Sequence, residues 1–217
     1  MYLISTQEFN RAFLISNVNE ANTGINEQVN AYIDSCVPKL LTNALGTSLF
    51  ADLNSQITDG ELNDDADQKW KDLVNGVEYT KDDKTYVWRG LVYENGLFKE
   101  SLLTPYVWYE WYRDNLTTMT GVGQVQLQAK NADVVNHKPL LVKNWNTFLE
   151  MYQGFTSYEC APRVNFIDGV CFVDYFNGNN TNNEVNLIQF LKDNPTNYTD
   201  ANCYIFTDTT KYNRFSI

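Results

Sequence analysis

Residues 102–116 read LLTPYVWYEWYRDNL, and five of the seven positions from Tyr106 to Tyr112 are Tyr or Trp. The spacing predicts a helix over about 97–116 with two apolar stripes. One carries Phe98, Leu102, Tyr106, Tyr109 and Leu116; the other carries Leu97, Thr104, Trp108, Trp111 and Asn115. A helix that is apolar around most of its circumference has to be covered around most of it. Any fold for this chain must therefore bring packing surface to two sides of one helix. Pro105, near the middle of the expected span, withholds one backbone hydrogen bond and invites a bend.

Part of that cover is legible upstream. Ile25, Val29, Ile33, Cys36/Val37, Leu40/Leu41 and Leu45 recur at three- and four-residue spacing, which predicts an amphipathic helix over 26–45. Pro38 should kink it and Gly46 stands where a C-terminal cap belongs. A short helix over Thr6 to about Val18, with Phe9, Phe13 and Leu14 on one side, is expected before it. After it, Thr47 or Ser48 can cap a helix that buries Leu49, Phe50, Leu53 and Ile57. Residues 58–65 are polar and read as a loop. Asp64 or Asp65 then caps a helix with Trp70, Leu73 and Val74, ended by Gly76. The stretch VEYTKDDKTYVW alternates around a charged turn, which predicts a β-hairpin over about 77–89 closed by Gly90.

Downstream of the aromatic run, residues 117–136 are rich in Thr, Gly and polar side chains, with a β-like alternation at Val122, Val125 and Leu127. A further core helix is expected from about Lys138 to Gln153, burying Leu141, Val142, Trp145, Phe148, Leu149 and Tyr152. Past Gly154 the texture changes: 164–176 and 203–207 look like strands, NGNNTNNE is a polar loop, and Glu184 to Asp193 is a short helix ended by Asn194-Pro195. The expected fold is mainly α, a helical bundle with a β-hairpin insertion and a β-containing C-terminal extension, α+β overall. It divides into a helical core over 1–155, with a protruding loop at about 117–132, and a small α/β extension over 156–217.

Little in the chain points to catalysis. No GxxxxGK[ST], GxSxG, HExxH or GxGxxG occurs. His137 is the only histidine, and neither an orienting carboxylate nor a nucleophile is nominated beside it. Cys36, Cys160, Cys171 and Cys203 form no CxxC pair, so free thiols in a reducing compartment are expected rather than zinc. The acidic stretch Asp59, Glu61, Asp64, Asp65, Asp67 lacks the alternating ligands of a calcium loop and reads as solvated. Glu110 and Asp114 lie one turn apart with Arg113 between them, an ion cluster rather than a paired-carboxylate site. TTMTGVG lacks the lysine and the strand-to-helix setting of a phosphate loop. The expectation is a non-enzymatic protein without cofactor or metal. There is no signal-peptide pattern at the start and no stretch of membrane-spanning length. A net charge of −11 offers few cations for gripping nucleic acid, yet suits the wall of a channel along which DNA slides.

The order of these features resembles a known family. LLTNALGTSLFADL and WKDLVNG, then a hairpin ending YVWRGL, then LLTPYVWYEWYRDNL running into TTMTGVGQVQ, together resemble the head–tail connector (adaptor) proteins of tailed bacteriophages, in particular those of Bacteroidetes and crAss-like phages. The resemblance covers about residues 1–155. It implies a structural virion protein that forms a ring, commonly of twelve copies, beneath the portal protein. Such a ring extends the DNA channel and offers a docking surface to other neck or tail proteins. Localisation in the virion neck after assembly in the host cytoplasm follows from the same resemblance. The expected contacts with neighbouring copies or the portal are Tyr106, Trp108, Tyr109, Trp111 and Tyr112 on the helix. In the segment that follows they are Thr117, Thr118, Thr120, Gly121, Val122, Gly123, Val125 and Leu127. A second reading is a small acidic phage-encoded protein that binds a host factor; the dispersal of Asp and Glu outside 59–67 favours the first.

Overall fold

The computed structural model describes residues 3–18, 24–95, 98–115, 118–120, 123–125, 138–156, 164–167, 170–173 and 183–206. It is a mainly helical α+β fold in which six α-helices alternate with short antiparallel strand pairs among the described residues. The chain opens on two 3-10 turns, Thr6–Glu8 and Arg11–Phe13, rather than the expected helix. Ser5 and Glu8 form a reciprocal capping box at the start of the first turn. Arg11 then takes a φ of 50°, which an α-helix does not tolerate. Phe9 is buried, while Leu14 is 62% exposed.

Helix α1 (Ile25–Leu45) buries Val29, Ile33, Val37, Leu40, Leu41, Ala44 and Leu45, the stripe read from spacing, and runs continuously through Pro38. Its last carbonyls need partners. Gly46, at φ 82°, returns its N–H to Thr42. The Asn43 and Ala44 carbonyls accept from the N–H groups of Tyr204 (3.2 Å) and Cys203 (2.8 Å). Helix α2 (Thr47–Ser55) has no side-chain cap and buries Leu53, with Leu49, Phe50 and Ile57 only partly covered. Strands β1 (Ile57–Thr58) and β2 (Glu61–Leu62) make a minimal hairpin inside the expected polar loop. Helix α3 (Gln68–Asn75) starts at Asp67, not Asp64 or Asp65, and buries Trp70, Leu73 and Val74.

Strands β3 (Val77–Lys81) and β4 (Lys84–Trp88) form the hairpin expected there, in register from Val77↔Trp88 to Lys81↔Lys84. Its base is locked to α3. The Leu73 carbonyl accepts from Trp88 Nε1 (2.9 Å) and from the Leu91 N–H (3.1 Å). Gly76 and Gly90 sit at φ 90° and 100°, where a Cβ would stand 2.5 Å from the Arg89 and Val74 carbonyls respectively. Only glycine fits two backbones this close. A second hairpin pairs β5 (Val92–Asn95) with β6 (Phe98–Ser101), and β6 occupies residues assigned from sequence to the start of the aromatic helix.

That helix, α4, therefore spans Leu103–Asn115, and Pro105 falls in its first turn. A first-turn N–H has no intrahelical partner to lose, so the expected mid-helix bend has no cause. Strands β7 (Thr118–Thr120) and β8 (Gly123–Val125) follow, paired with each other. Helix α5 (Lys138–Tyr152) is next, then a three-stranded sheet in the order β10-β11-β9, from β9 (Phe155–Thr156), β10 (Val164–Ile167) and β11 (Val170–Val173). Helix α6 (Leu187–Asp193) is capped by Asn186, whose side chain accepts from the Gln189 N–H.

The boundary expected near residue 155 does not separate two cores. Val185, Leu187, Ile188, Phe190, Leu191 and Tyr198 join one hydrophobic cluster with α1, α3, α4 and α5. Phe190 stacks on Trp88 at 5.4 Å, and Tyr198 donates to the Lys69 carbonyl. The outer edge of β4 is covered by residues 183–185, through Val87 N–H to Asn183 and Val185 N–H to Val87. The buried Asp193 carboxylate accepts from Tyr79 Oη (2.7 Å), Lys81 Nζ (2.5 Å) and Gln189 Nε2 (2.7 Å), tying the hairpin to α6. Residues 183–206 thus strap the helical body, and 203–206 cap α1 rather than form a strand.

Candidate interaction surface

Helix α4 changes character along its length. Its first two turns are enclosed by this chain: Tyr106, Trp108 and Tyr109 are 3%, 2% and 8% exposed. On one side α5 supplies the cover, with Tyr106 at 5.1 Å from Phe148 and Tyr109 at 4.7 Å from Trp145, ring centroid to centroid. The order of those pairs makes α4 and α5 antiparallel. Phe206 meets Tyr106, Trp145, Phe148 and Tyr152 from the strap. On the other side Phe13 meets Trp108 edge to face at 6.4 Å, and α1 packs along the helix. Tyr106, Trp108 and Tyr109, expected at a contact with a neighbour, are core residues of their own chain. The second stripe is covered by the N-terminal turns and α1, elements whose reach the spacing does not reveal. Burial pushes the Tyr106 and Tyr152 phenols well above their ordinary range.

The last turn and a half is different. Trp111 and Tyr112 are partly exposed, and Arg113, Asp114 and Asn115 are exposed. Tyr112 stacks on Trp108 at 4.5 Å and an interplanar angle of 13°, so the surface ring is held flat on the core. Leu14, the exposed residue beside Phe13, lends its carbonyl to Trp108 Nε1 at 3.5 Å. Leu140, at the start of α5, is 39% exposed. Arg113 pairs with both Glu110 and Asp114, the ion cluster expected there. Burial opposes the Arg113 charge, but Glu110 and Asp114 outweigh it and raise its pKa. Tyr32 Oη donates to Asp114 at 3.1 Å and fastens this end of α4 to α1; burial and that carboxylate raise the Tyr32 pKa. The Trp111 indole N–H is buried with no acceptor among the described residues.

Three residues past this end lies the β7–β8 hairpin. Thr118↔Val125, Met119↔Gln124 and Thr120↔Gly123 are its pairs. The two strands form a sheet of their own, and no other described strand extends it on either side. Thr118, Thr120, Gly123 and Val125 therefore belong to a self-paired hairpin. Of the alternation read at Val122, Val125 and Leu127, only Val125 is described, paired with Thr118. Thr117, Gly121, Val122 and Leu127 lie outside the described residues, as does His137.

The remaining candidates are dispersed. Asp59, Glu61 and Asp64 line an open polar cleft of about 600 Å³ together with Lys71 and Lys99. Among the described residues no group of three or more His, Cys, Asp or Glu is placed to hold a metal. Cys36 and Cys203 are free thiols, Cys36 buried and raised in pKa by that burial. No helix among the described residues is long and apolar enough to cross a membrane. No family model, no curated protein and no solved structure matches the chain.

Proposed function

We propose that this chain is a structural adaptor of a tailed-phage neck, assembling as a ring beneath the portal and joining head to tail. The observation that supports this reading is the end of α4. An aromatic helix anchored in the core emerges with Trp111 and Tyr112 partly exposed beside Leu14, then leads into a two-stranded sheet that no other described strand extends. Rigidly held aromatic rings are the residues that anchor interfaces. A strand with free backbone N–H and C=O groups on its outer edge can take a further strand from a partner. The order of sequence features that resembles head–tail connectors places the same two features in succession. The net charge of −11 suits a lumen past which acidic DNA slides.

Native mass spectrometry and negative-stain imaging test the reading, on the purified protein alone and mixed with the portal protein of the same phage. Closed rings, or rings seated on the portal, are the expected result. The double substitution Trp111→Ala/Tyr112→Ala should abolish them while leaving a folded monomer. A protein that stays monomeric in both preparations refutes the proposal.

A further inference from the structure

Residues 203–206 belong to no helix or strand, yet the helical body holds their main chain. The Cys203 and Tyr204 N–H groups donate to the Ala44 and Asn43 carbonyls in the last turn of α1, at 2.8 and 3.2 Å. Tyr152 Oη, at the end of α5, donates to the Tyr204 carbonyl at 3.0 Å. The next residue, Gln153, grips Phe206 twice. Its Oε1 accepts from the Phe206 N–H at 2.8 Å, and its Nε2 donates to the Phe206 carbonyl at 3.1 Å. The Phe206 ring enters a socket of Tyr152, Phe148, Trp145 and Tyr106, at centroid distances of 5.2, 5.4, 5.6 and 6.3 Å. Main-chain bonds from a fixed groove, with a pocket for a side chain, are how folded proteins hold peptide segments.

The groove and its occupant differ in how firmly each is built. Its groups sit on the ends of two core helices, and the socket residues are buried. The segment has less to hold it. From Thr199 to Phe206 no residue is fully buried, and Cys203 takes a φ of 48°, a costly conformation for an L residue. Segments with few buried apolar contacts open locally at less than the free energy of global unfolding. We propose that the ends of α1 and α5 form a peptide-binding groove, occupied in cis by residues 203–206 and open to the same segment of a second copy. That copy carries the same donors, acceptors and ring, so it makes in trans every bond that the resident makes in cis. Exchange of an identical element is a low-cost route to association. The groove lies at the end of α5 away from Trp111 and Tyr112, and its occupation does not depend on ring assembly there.

The test uses the full chain and a fluorescent peptide of residues 199–206, blocked at both ends, with binding read by anisotropy under reducing conditions. Two variants unseat the resident segment. Phe206→Ala empties the socket, and Cys203→Pro removes the N–H given to Ala44 and forbids the φ of 48°. Each should bind the peptide about tenfold or more tightly than the parent, because a groove filled in cis binds with its affinity reduced to the open fraction. The peptide carrying Phe206→Ala should not bind. Adding Gln153→Leu to either variant should abolish binding. The Gln153→Leu full chain, whose own segment is loosened, should compete the peptide off the Phe206→Ala chain. No binding to either variant at millimolar peptide overturns the groove, and so does binding that Gln153→Leu leaves unchanged. Peptide binding without competition by the Gln153→Leu chain overturns the second copy as occupant. None of these readings requires a ring, so they stand or fall apart from the neck assignment.

Discussion

Trp108→Ala separates a core residue from an interface residue more sharply than any other substitution in this chain. The indole is 2% exposed, faces Phe13 edge-on at 6.4 Å, and carries Tyr112 stacked on it at 4.5 Å. Truncating a buried Trp costs about 3–5 kcal/mol from lost transfer free energy and the residual cavity. Stacking accounts for roughly 0.5–1.5 kcal/mol per aromatic pair beyond the buried area, and Tyr112, on the surface side, can settle partly into the gap. The only hydrogen bond lost is the long one to the Leu14 carbonyl, on an exposed residue whose carbonyl water can reach. The lower half of the range, about 3–4 kcal/mol, is therefore expected. Against a total stability of about 5–15 kcal/mol for a domain, this is a large fraction but leaves the chain folded in the cold. Urea unfolding followed by circular dichroism should show a lowered midpoint at unchanged slope, and melting should fall by roughly 6–16 °C at about 2–4 °C per kcal/mol. Tyr112→Ala should cost about 1 kcal/mol, the typical value for a point substitution. If Trp108→Ala unfolds within 1 kcal/mol of the parent, the assignment of the first two turns of α4 to the core is wrong.

Asp193→Ala should destabilise by about 3 kcal/mol, because Tyr79, Lys81 and Gln189 lose a common buried acceptor; Lys81 is 42% exposed on its side chain and can turn to water, which keeps the loss near the lower end. Limited proteolysis should then cut within 183–206 first, and a cleavage pattern like the parent's would refute the strap. Gly90→Ala should prevent stable docking of the β3–β4 base on α3, since its Cβ would meet the Val74 carbonyl at 2.5 Å at a φ of 100°; a melting temperature within 2 °C of the parent, by the scale of about 2–4 °C per kcal/mol, would contradict that. Burial raises the Glu150 carboxyl pKa, so the folded chain holds this proton more tightly than the unfolded one and stability is lost as pH rises from the ordinary carboxylate range through the raised value. Glu150→Gln should thus melt above the parent at pH 7 and level with it well below the carboxylate range; a difference that does not change with pH would remove the burial argument.

Helices α1, α3 and α5 were legible because each carries an apolar stripe at helical spacing. The β3–β4 hairpin was legible because β-formers alternate on either side of Lys81-Asp82-Asp83-Lys84. The β5–β6 hairpin was missed although its signal is present: the two strands flank a two-residue connection that begins with Gly96. Leu97, Phe98 and Leu102 continued the helical spacing of the aromatic run, and periodicity overrode turn chemistry. That error moved the predicted helix start six residues upstream and put Pro105 in its middle. The N-terminal helix failed for another reason: apolar spacing at Phe9, Phe13 and Leu14 says nothing of the φ of 50° that Arg11 takes, which breaks the chain into two short turns. The strap at 183–206 was invisible as such. Its value lies in contacts across more than a hundred residues, such as Asp193 with Lys81, which no local pattern encodes.

The aromatic helix shows the same limit at the candidate surface. Sequence establishes that two faces of α4 need cover but not who provides it. The composition of a buried stripe and of an interface stripe is the same, because both exclude water from the same side chains. Cover by α5 and Phe206 on one face, and by Phe13 and α1 on the other, satisfies both stripes within one chain. What remains for a partner is carried by a gradient along the helix axis. Burial is complete at Tyr106 and lapses by Tyr112, and the chain then passes into a hairpin that no other described strand extends. That geometry holds the partly exposed ring of Tyr112 stacked flat on a fixed core indole, so little side-chain entropy is left to lose on contact. A partner that docks here therefore gains from a pre-organised surface. Trp111→Ala/Tyr112→Ala should in consequence weaken assembly by more than it weakens the fold.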